Sequence, residues 1–261
     1  MADMRNTTAK QKWLERETLR VHDAIEKNLD SYLKRVDAQY QHTYDSLIKD
    51  VKRLNRELEL GRITDDYMEL RTNVLISQLE NRVREINLRV AQEMPKKLSD
   101  YANYSREGME KILSKINTVS LPVSLLEFLA GFRYEDYQFS SSLNRGTYKI
   151  GDRLNKILSE GLAKGWDNRK YTKELQAVSK FTKFEANRVA RTETARVATE
   201  GSRRTMKEYG IERVEWNSAL EKRTCPVCAS LHGKKYRMGN EPPLPRHPFC
   251  RCVLLPVVDW E

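Results

Sequence analysis

Apolar residues recur every three or four positions in the N-terminal part of the chain, and this period constrains the fold most strongly. The first run extends from Val21 to Leu58, and the residues between its apolar members are mostly charged or amidic. Such a period is typical of an amphipathic helix that buries one face. Gly61 interrupts the run, and a second run follows Thr64 and continues to Val90. We therefore predict two long helices, the second capped by Thr64.

Helical patterns continue beyond these two runs. Pro95 predicts a break, because proline inside a helix removes a backbone hydrogen bond, and helical character resumes after it. A further helix is predicted to end at Gly165, and another to open at Thr172. A long arginine-rich helix is then predicted over Lys183–Tyr209, with Gly210 as its C-terminal stop.

The pattern changes after this stop. Three short stretches are strand-like: Glu212–Asn217, Lys234–Met238 and Cys252–Val258. We predict an elongated helical region over residues 1–144 and a second domain over residues 145–261 that contains a metal-binding module at 212–258. The expected fold class is mainly α, with long N-terminal helices and a helical C-terminal domain that ends in a small β-rich zinc-binding module.

Metal-ligand side chains cluster in this module. The candidate ligands are Cys225, Cys228, His247, Cys250 and Cys252. A C-x2-C pair directs two thiolates into one site, and zinc prefers four Cys or His ligands in a tetrahedron. We expect Cys225, Cys228 and Cys250 to bind structural zinc, with either His247 or Cys252 as the fourth ligand.

Two other interpretations of the cluster stay open. Four cysteines could form disulfides, but the apolar core of a secretory signal is missing from the N-terminal residues, so we expect reduced thiols in a cytoplasm. A catalytic zinc would need an open coordination position and a nearby general base. Five available ligands favour a closed, structural site. The sequence predicts no catalytic residues and no membrane span.

Positive charge is concentrated after residue 100. Residues 1–100 hold 19 Lys and Arg against 18 Asp and Glu, so nearly all of the net charge of +10 lies in the remainder. This asymmetry indicates contact with a polyanion or an acidic surface. The candidate phosphate-binding residues lie on the arginine-rich helix: Arg188, Arg196, Arg203 and Arg204. For Arg191 and Glu193 on this helix we favour a different role, which is to hold the metal module by charged hydrogen bonds.

An ordered set of motifs resembles the phage head morphogenesis proteins, which are the Mu F-like minor head proteins of tailed bacteriophages. The resemblance covers roughly Arg145–Val258. Its motifs are Ala190-Arg191-Thr192-Glu193-Thr194, Trp216, Arg223-Thr224-Cys225-Pro226-Val227-Cys228, Leu231-His232-Gly233, Pro242-Pro243 and His247-Pro248-Phe249-Cys250-Arg251-Cys252.

The resemblance implies a virion component that is assembled in the host cytoplasm and lies in the capsid interior or at the portal vertex. It implies the portal protein or the major capsid protein as partners, and a role in head morphogenesis, DNA packaging or DNA ejection. It implies no established catalytic activity. Contact with phage double-stranded DNA is a further expectation from the charge. The alternative function is a zinc-dependent nucleic-acid-binding protein that acts outside the virion.

Overall fold

Long helices dominate the computed structural model, which describes residues 4–116, 150, 152–219 and 224–258. The described helices are α1 (Met4–Glu59), α2 (Asp65–Leu113), α3 (residues 152–163), α4 (Asn168–Glu208) and α5 (Pro226–Leu231). The described strands are β1 (Arg213–Asn217), β2 (Lys235–Arg237) and β3 (Val253–Val257). The predicted mainly-α class with a small β-rich module is confirmed. The predicted domain boundary after residue 144 lies outside the described residues and stays a prediction.

The turn between α1 and α2 follows the sequence prediction. Gly61 adopts a φ of 67°, a left-handed conformation that favours glycine. The chain then reverses, and the N–H of Arg62 donates to the carbonyl of Glu57 at 2.9 Å. The hydroxyl of Thr64 accepts the N–H of Tyr67 at 3.3 Å, as expected for an N-cap.

The predicted break at Pro95 is wrong, because α2 continues through this residue. Met94 and Leu98 on either side of it are 0% and 1% exposed. A proline inside a helix costs about 3 kcal/mol, whereas burying one such side chain contributes about 1.5–3 kcal/mol. Packing around the proline therefore outweighs the lost hydrogen bond.

The predicted separate helices starting at Thr172 and Lys183 are also wrong, since both residues lie inside the single helix α4. The hydroxyl of Thr172 donates to the carbonyl four residues earlier at 2.6 Å instead of capping a helix. Asp167 precedes the helix, and its carboxylate accepts the N–H of Lys170 at 2.7 Å. The predicted stop is confirmed, because Gly210 has a φ of 70° just after the helix ends.

The chain divides into two compact units, each assembled from segments that are distant in sequence. Unit 1 comprises Met1–Asp30, Pro95–Tyr134 and Ala190–Glu261, and unit 2 comprises Ser31–Met94 and Glu135–Val189. Each long helix therefore contributes residues to both units.

Close helix packing in unit 1 depends on Gly201 of α4. A Cβ atom there would lie 2.6 Å from the carbonyl oxygen of Ala102 on α2, so no larger side chain fits without a backbone shift. Beside it, the hydroxyl of Ser105 donates to the carbonyl of Ala198 at 2.7 Å and lies 2.6 Å from the hydroxyl of Ser202. Small residues thus bring the two helices into direct contact.

The small sheet also belongs to unit 1. Its strand order is β2-β1-β3, and both pairings are antiparallel. Trp216 on the central strand is paired with Leu254 on β3, and its side chain is fully buried. Met109 of α2, Met206 of α4 and three of the cysteines pack in the same apolar cluster. The strands predicted from sequence are confirmed.

Unit 2 has a helical core with tyrosines at its centre. Tyr40 and Tyr44 of α1 are both fully buried. The hydroxyl of Tyr40 donates to the side-chain oxygen of Asn87 on α2, and that of Tyr44 lies 2.7 Å from the hydroxyl of Thr182 on α4. Hydrogen bonds from the tyrosine hydroxyls therefore link the three helices inside this unit.

Candidate metal centre

The first two candidate ligands lie at the start of α5. Cys225 is its N-cap, and the Cys225 Sγ accepts the N–H of Cys228 at 3.3 Å. Pro226 occupies the first helical position, where its missing N–H costs nothing. The C-P-V-C spacing therefore folds into a single helical turn that points both sulfurs the same way, as the sequence predicts.

The histidine approaches both of these sulfurs. His247 Nε2 lies 3.3 Å from the Sγ of Cys225 and 3.3 Å from the Sγ of Cys228. A tetrahedral zinc with ordinary bond lengths spaces such S and N atoms by about 3.5 Å. The other ring nitrogen, Nδ1, lies 2.8 Å from the carbonyl oxygen of Pro248, which can only accept. Nδ1 therefore carries the proton, and Nε2 keeps the lone pair that a metal needs.

A tight turn brings the last two cysteines next to this group. The N–H of Cys250 donates to the carbonyl of His247 at 3.1 Å, and Phe249 between them has a φ of 62°. The sulfurs of Cys228, Cys250 and Cys252 lie within 4.8 Å of one another, as do the ligand atoms of Cys225, Cys228 and His247. Cys228 belongs to both groups, and all four cysteines are free thiols.

The cysteines differ in their readiness to ionise. The N–H of Cys228 holds the pKa of Cys225 below its usual value. The neighbouring Cys252 side chain lowers the pKa of Cys250 to about 5, and the same proximity raises the pKa of Cys252. Burial raises the pKa of Cys228 to about 12. A cation among these sulfurs favours their thiolate forms. The Cys and His groups could therefore hold a metal ion, and their donor atoms suit zinc.

Ser218 supports the cluster and was not identified from the sequence. Its hydroxyl donates to the carbonyl of Cys228 at 2.6 Å and accepts the indole N–H of Trp216 at 3.2 Å. The Sγ of Cys252 lies 3.6 Å from the same oxygen. An isolated serine carries no signal for such a role, since its contacts depend on how β1 and α5 meet.

Thr192 links the cluster to α4. The N–H of Phe249 donates to the Thr192 hydroxyl at 3.4 Å. Its two neighbours do not have the predicted role. Arg191 forms ion pairs with Glu26, at 3.1 Å, and with Asp30 of α1. Glu193 pairs with an arginine of its own helix. The expectation that Arg191 and Glu193 hold the metal module is therefore wrong, and the residue between them contacts it.

The four arginines predicted to bind nucleic acid each pair with a carboxylate of the same unit. Arg188 pairs with Glu185 at 3.0 Å, Arg196 with Glu193 at 2.9 Å, Arg203 with Glu241 at 2.8 Å and Arg204 with Glu200 at 3.1 Å. Glu241 is only 6% exposed and lies in the segment between β2 and His247, so its arginine also ties that segment to α4. A nucleic-acid role for these arginines stays a prediction.

A cavity of about 490 Å³ borders the cluster, with Cys250 and Cys252 on its wall. His22 and Glu26 of α1 also line it. Burial lowers the pKa of His22 to about 4, and burial raises the pKa of Glu26. The carboxylate of Glu26 is engaged by Arg191, so it serves as an ion-pair partner.

Residues 152–255 match the family model described as Phage Mu protein F like protein. An uncharacterized protein of Haemophilus influenzae is 24% identical over 112 residues, which are 41% of this chain and 25% of that protein. The chain thus spans about a quarter of the length of this curated relative. No solved structure matches. None of the described helices carries an apolar stretch of the length that a bilayer span requires.

Proposed function

We propose that this chain is a minor head protein of a tailed bacteriophage, because residues 152–255 match the model of the Phage Mu protein F-like family. The family supports a protein of phage head morphogenesis whose partners are capsid or portal proteins. We place it in the virion, in the capsid interior or at the portal vertex, with a role in head morphogenesis, DNA packaging or DNA ejection. Its role there is structural, without a catalytic step.

The match to the family region carries this proposal. The matched residues extend from α3 to β3 and include the whole of α4 and all five Cys and His donors. The long helices α1 and α2 lie outside the match and offer exposed surface for protein partners. We infer that the C-terminal part is the common element of the family and that the helices before it adapt this chain to its own head.

Virion membership is tested by following the protein through particle purification. We expect it to co-sediment with heads on a density gradient after nuclease treatment, in few copies per particle. Heads assembled without portal protein then separate the two partners, because a portal-bound protein is lost from them and a shell-bound protein stays. Recovery only as a free protein at the top of the gradient would contradict the proposal and favour the alternative, a zinc-dependent nucleic-acid-binding protein outside the virion.

For the metal we propose structural zinc bound by Cys225, Cys228, His247 and Cys250. Three contacts support this set. His247 Nε2 lies 3.3 Å from two of the sulfurs. Cys250 shares a turn with His247 and packs against Cys228. Cys252, in contrast, donates through its thiol to the hydroxyl of Ser218 at 3.6 Å. We therefore assign Cys252 a supporting contact beside the ligand set rather than a place in it.

Cobalt(II) substitution checks this ligand set. Thiolate-to-cobalt charge-transfer intensity rises with the number of thiolates bound, so wild type should give the intensity of three. Cys252→Ser should keep both the intensity and the d–d bands, because Cys252 is not a ligand and the new hydroxyl can still donate to Ser218. Cys250→Ser should lose about a third of the intensity, which follows from one thiolate of three.

Two outcomes would contradict the metal proposal in different ways. Four thiolates in wild type, with one lost in Cys252→Ser, would replace His247 by Cys252 in the ligand set. If wild type binds neither cobalt nor zinc, the proposal of a metal site is refuted. The proposal of virion membership would survive either result, since it is measured on particles.

A further inference from the structure

We propose that the basic cavity beside the α1–α2 turn in unit 2 binds a phosphate group. This cavity has a volume of about 570 Å³, and its walls include four cationic side chains: Lys52, Arg53, Arg56 and Arg62. Glu57 is the one acidic side chain that the structure gives in its described lining. The lining therefore carries a formal charge of +3, which favours an anion.

The backbone of the turn brings these cations together. Lys52 and Arg56 are four residues apart and lie on one face of α1. Arg62 follows the chain reversal at Gly61, whose φ of 67° returns the chain toward α1. The hydrogen bond from the Arg62 N–H to the Glu57 carbonyl, at 2.9 Å, fixes that return. The positive φ requires glycine at this position. The reversal that it allows places Arg62 on the cavity wall.

The cations are available for a ligand. Among the residues that the structure describes, Lys52 and Arg56 form no ion pair. Arg53 pairs with Asp50 at 3.2 Å, and Arg62 with Glu57 at 3.3 Å. The side chains of both arginines are more than 60% exposed, and exposed pairs of this kind contribute about 0–1 kcal/mol. A phosphate could therefore recruit these two arginines at small cost.

The start of α4 adds backbone donors to the same cavity. Asn168, its first residue, lines the wall. The first N–H groups of a helix have no acceptor within the helix, and the helix dipole favours negative charge there. The Asp167 carboxylate accepts the N–H of Lys170 at 2.7 Å, and the Asp167 carbonyl accepts that of Tyr171 at 3.1 Å. Guanidinium groups with a helix N-terminus match the several oxygens of a phosphate better than a single carboxylate.

The ligand could be inorganic phosphate or the backbone of a nucleic acid, and two binding assays separate them. One titrates inorganic phosphate into the full chain and follows it by calorimetry. The other measures binding of a 20-base-pair duplex by fluorescence anisotropy between about 50 and 200 mM salt. The test variant is Lys52→Gln/Arg56→Gln. The control is Arg16→Gln/Arg20→Gln, which removes the same charge from two exposed, ion-paired residues of α1.

Each phosphate contact contributes about 0.9 to the slope of log affinity against log salt. If the ligand is the duplex backbone, the slope of the test variant should be smaller than that of wild type by about 1.8. Over the fourfold rise in salt, the affinity of the test variant should then fall about 12-fold less than that of wild type. If free phosphate is the source, calorimetry should show its binding lost in the test variant and duplex binding unchanged. In both cases the control should match wild type, and Lys52→Gln alone should give a smaller loss of the same kind.

Equal losses in the test variant and the control would overturn the proposal, because diffuse positive charge would then explain the binding. No phosphate or duplex binding by wild type would overturn it as well. Both substitutions affect exposed side chains, and an unchanged thermal unfolding midpoint confirms that neither variant is misfolded.

Discussion

Removing the metal is expected to unfold the segment from β1 to β3 and to leave the long helices folded. Structural zinc contributes about 10–16 kcal/mol in small zinc modules, whereas a whole domain is stable by about 5–15 kcal/mol. The three short strands and the six-residue helix α5 are too short to be stable alone, and we expect the metal to add to their packing against Met109 and Met206. Cys228→Ser should have the same effect as a chelator, because Cys228 belongs to both candidate ligand groups.

Amide hydrogen exchange checks this expectation residue by residue. The amides of β1 and β3 should lose their protection in the chelated protein and in Cys228→Ser, while helical circular dichroism falls only slightly. Cys252→Ser is the matched control, since it also removes one thiol of the cluster and is expected to keep the metal. Protection of β1 that is unchanged after complete metal removal would contradict a structural role for the metal.

Trp216→Ala is expected to give the largest loss of stability among single apolar substitutions in unit 1. Its side chain is fully buried on the central strand, between the cysteine cluster and residues of α2 and α4. Truncation of such a residue costs about 3–5 kcal/mol, because apolar burial is lost and a cavity remains. The hydrogen bond that the indole N–H donates to the Ser218 hydroxyl, at 3.2 Å, is lost at the same time.

Urea unfolding of the zinc-loaded protein measures this loss, with Tyr104→Ala as the control. Tyr104 is also an aromatic residue of unit 1, but its side chain is 49% exposed on α2. Its replacement should change the free energy of unfolding by no more than about 0.5 kcal/mol. A loss for Trp216→Ala as small as that of the control would show that the sheet is not coupled to the helical part of the unit.

Trp216→Ala also tests whether metal affinity depends on packing in the apolar cluster. The sulfurs of Cys228, Cys250 and Cys252 pack in the same apolar cluster as Trp216. A cavity beside them should therefore weaken metal affinity, although Trp216 offers no ligand. Metal affinity that is unchanged in Trp216→Ala would mean that the tight turns alone position the ligands.

Local patterns were sufficient for the elements whose causes are local. The turn at Gly61, the cap at Thr64 and the stop at Gly210 were all predicted, because each depends on the conformation of a few neighbouring residues. Short spacers hold Cys225 beside Cys228 and His247 beside Cys250, whereas the fold of the segment between them brings these pairs together. Zinc binding by these residues stays a prediction. The continuation of α2 through Pro95 was not predicted, because packing against residues distant in the sequence decides it.

The sequence by itself determined the helical periods, the strand-forming segments and the set of candidate metal ligands, since these follow from residue types at fixed spacing. Only the tertiary structure decided which partners the charged side chains take. The four candidate arginines of α4 look free in the sequence, yet each of Arg188, Arg196, Arg203 and Arg204 reaches a carboxylate of its own unit. Lys52 and Arg56, in contrast, line a basic cavity. A charge interacts with whatever lies within a few ångströms of it, and the folded chain, through turns such as that at Gly61, fixes those neighbours.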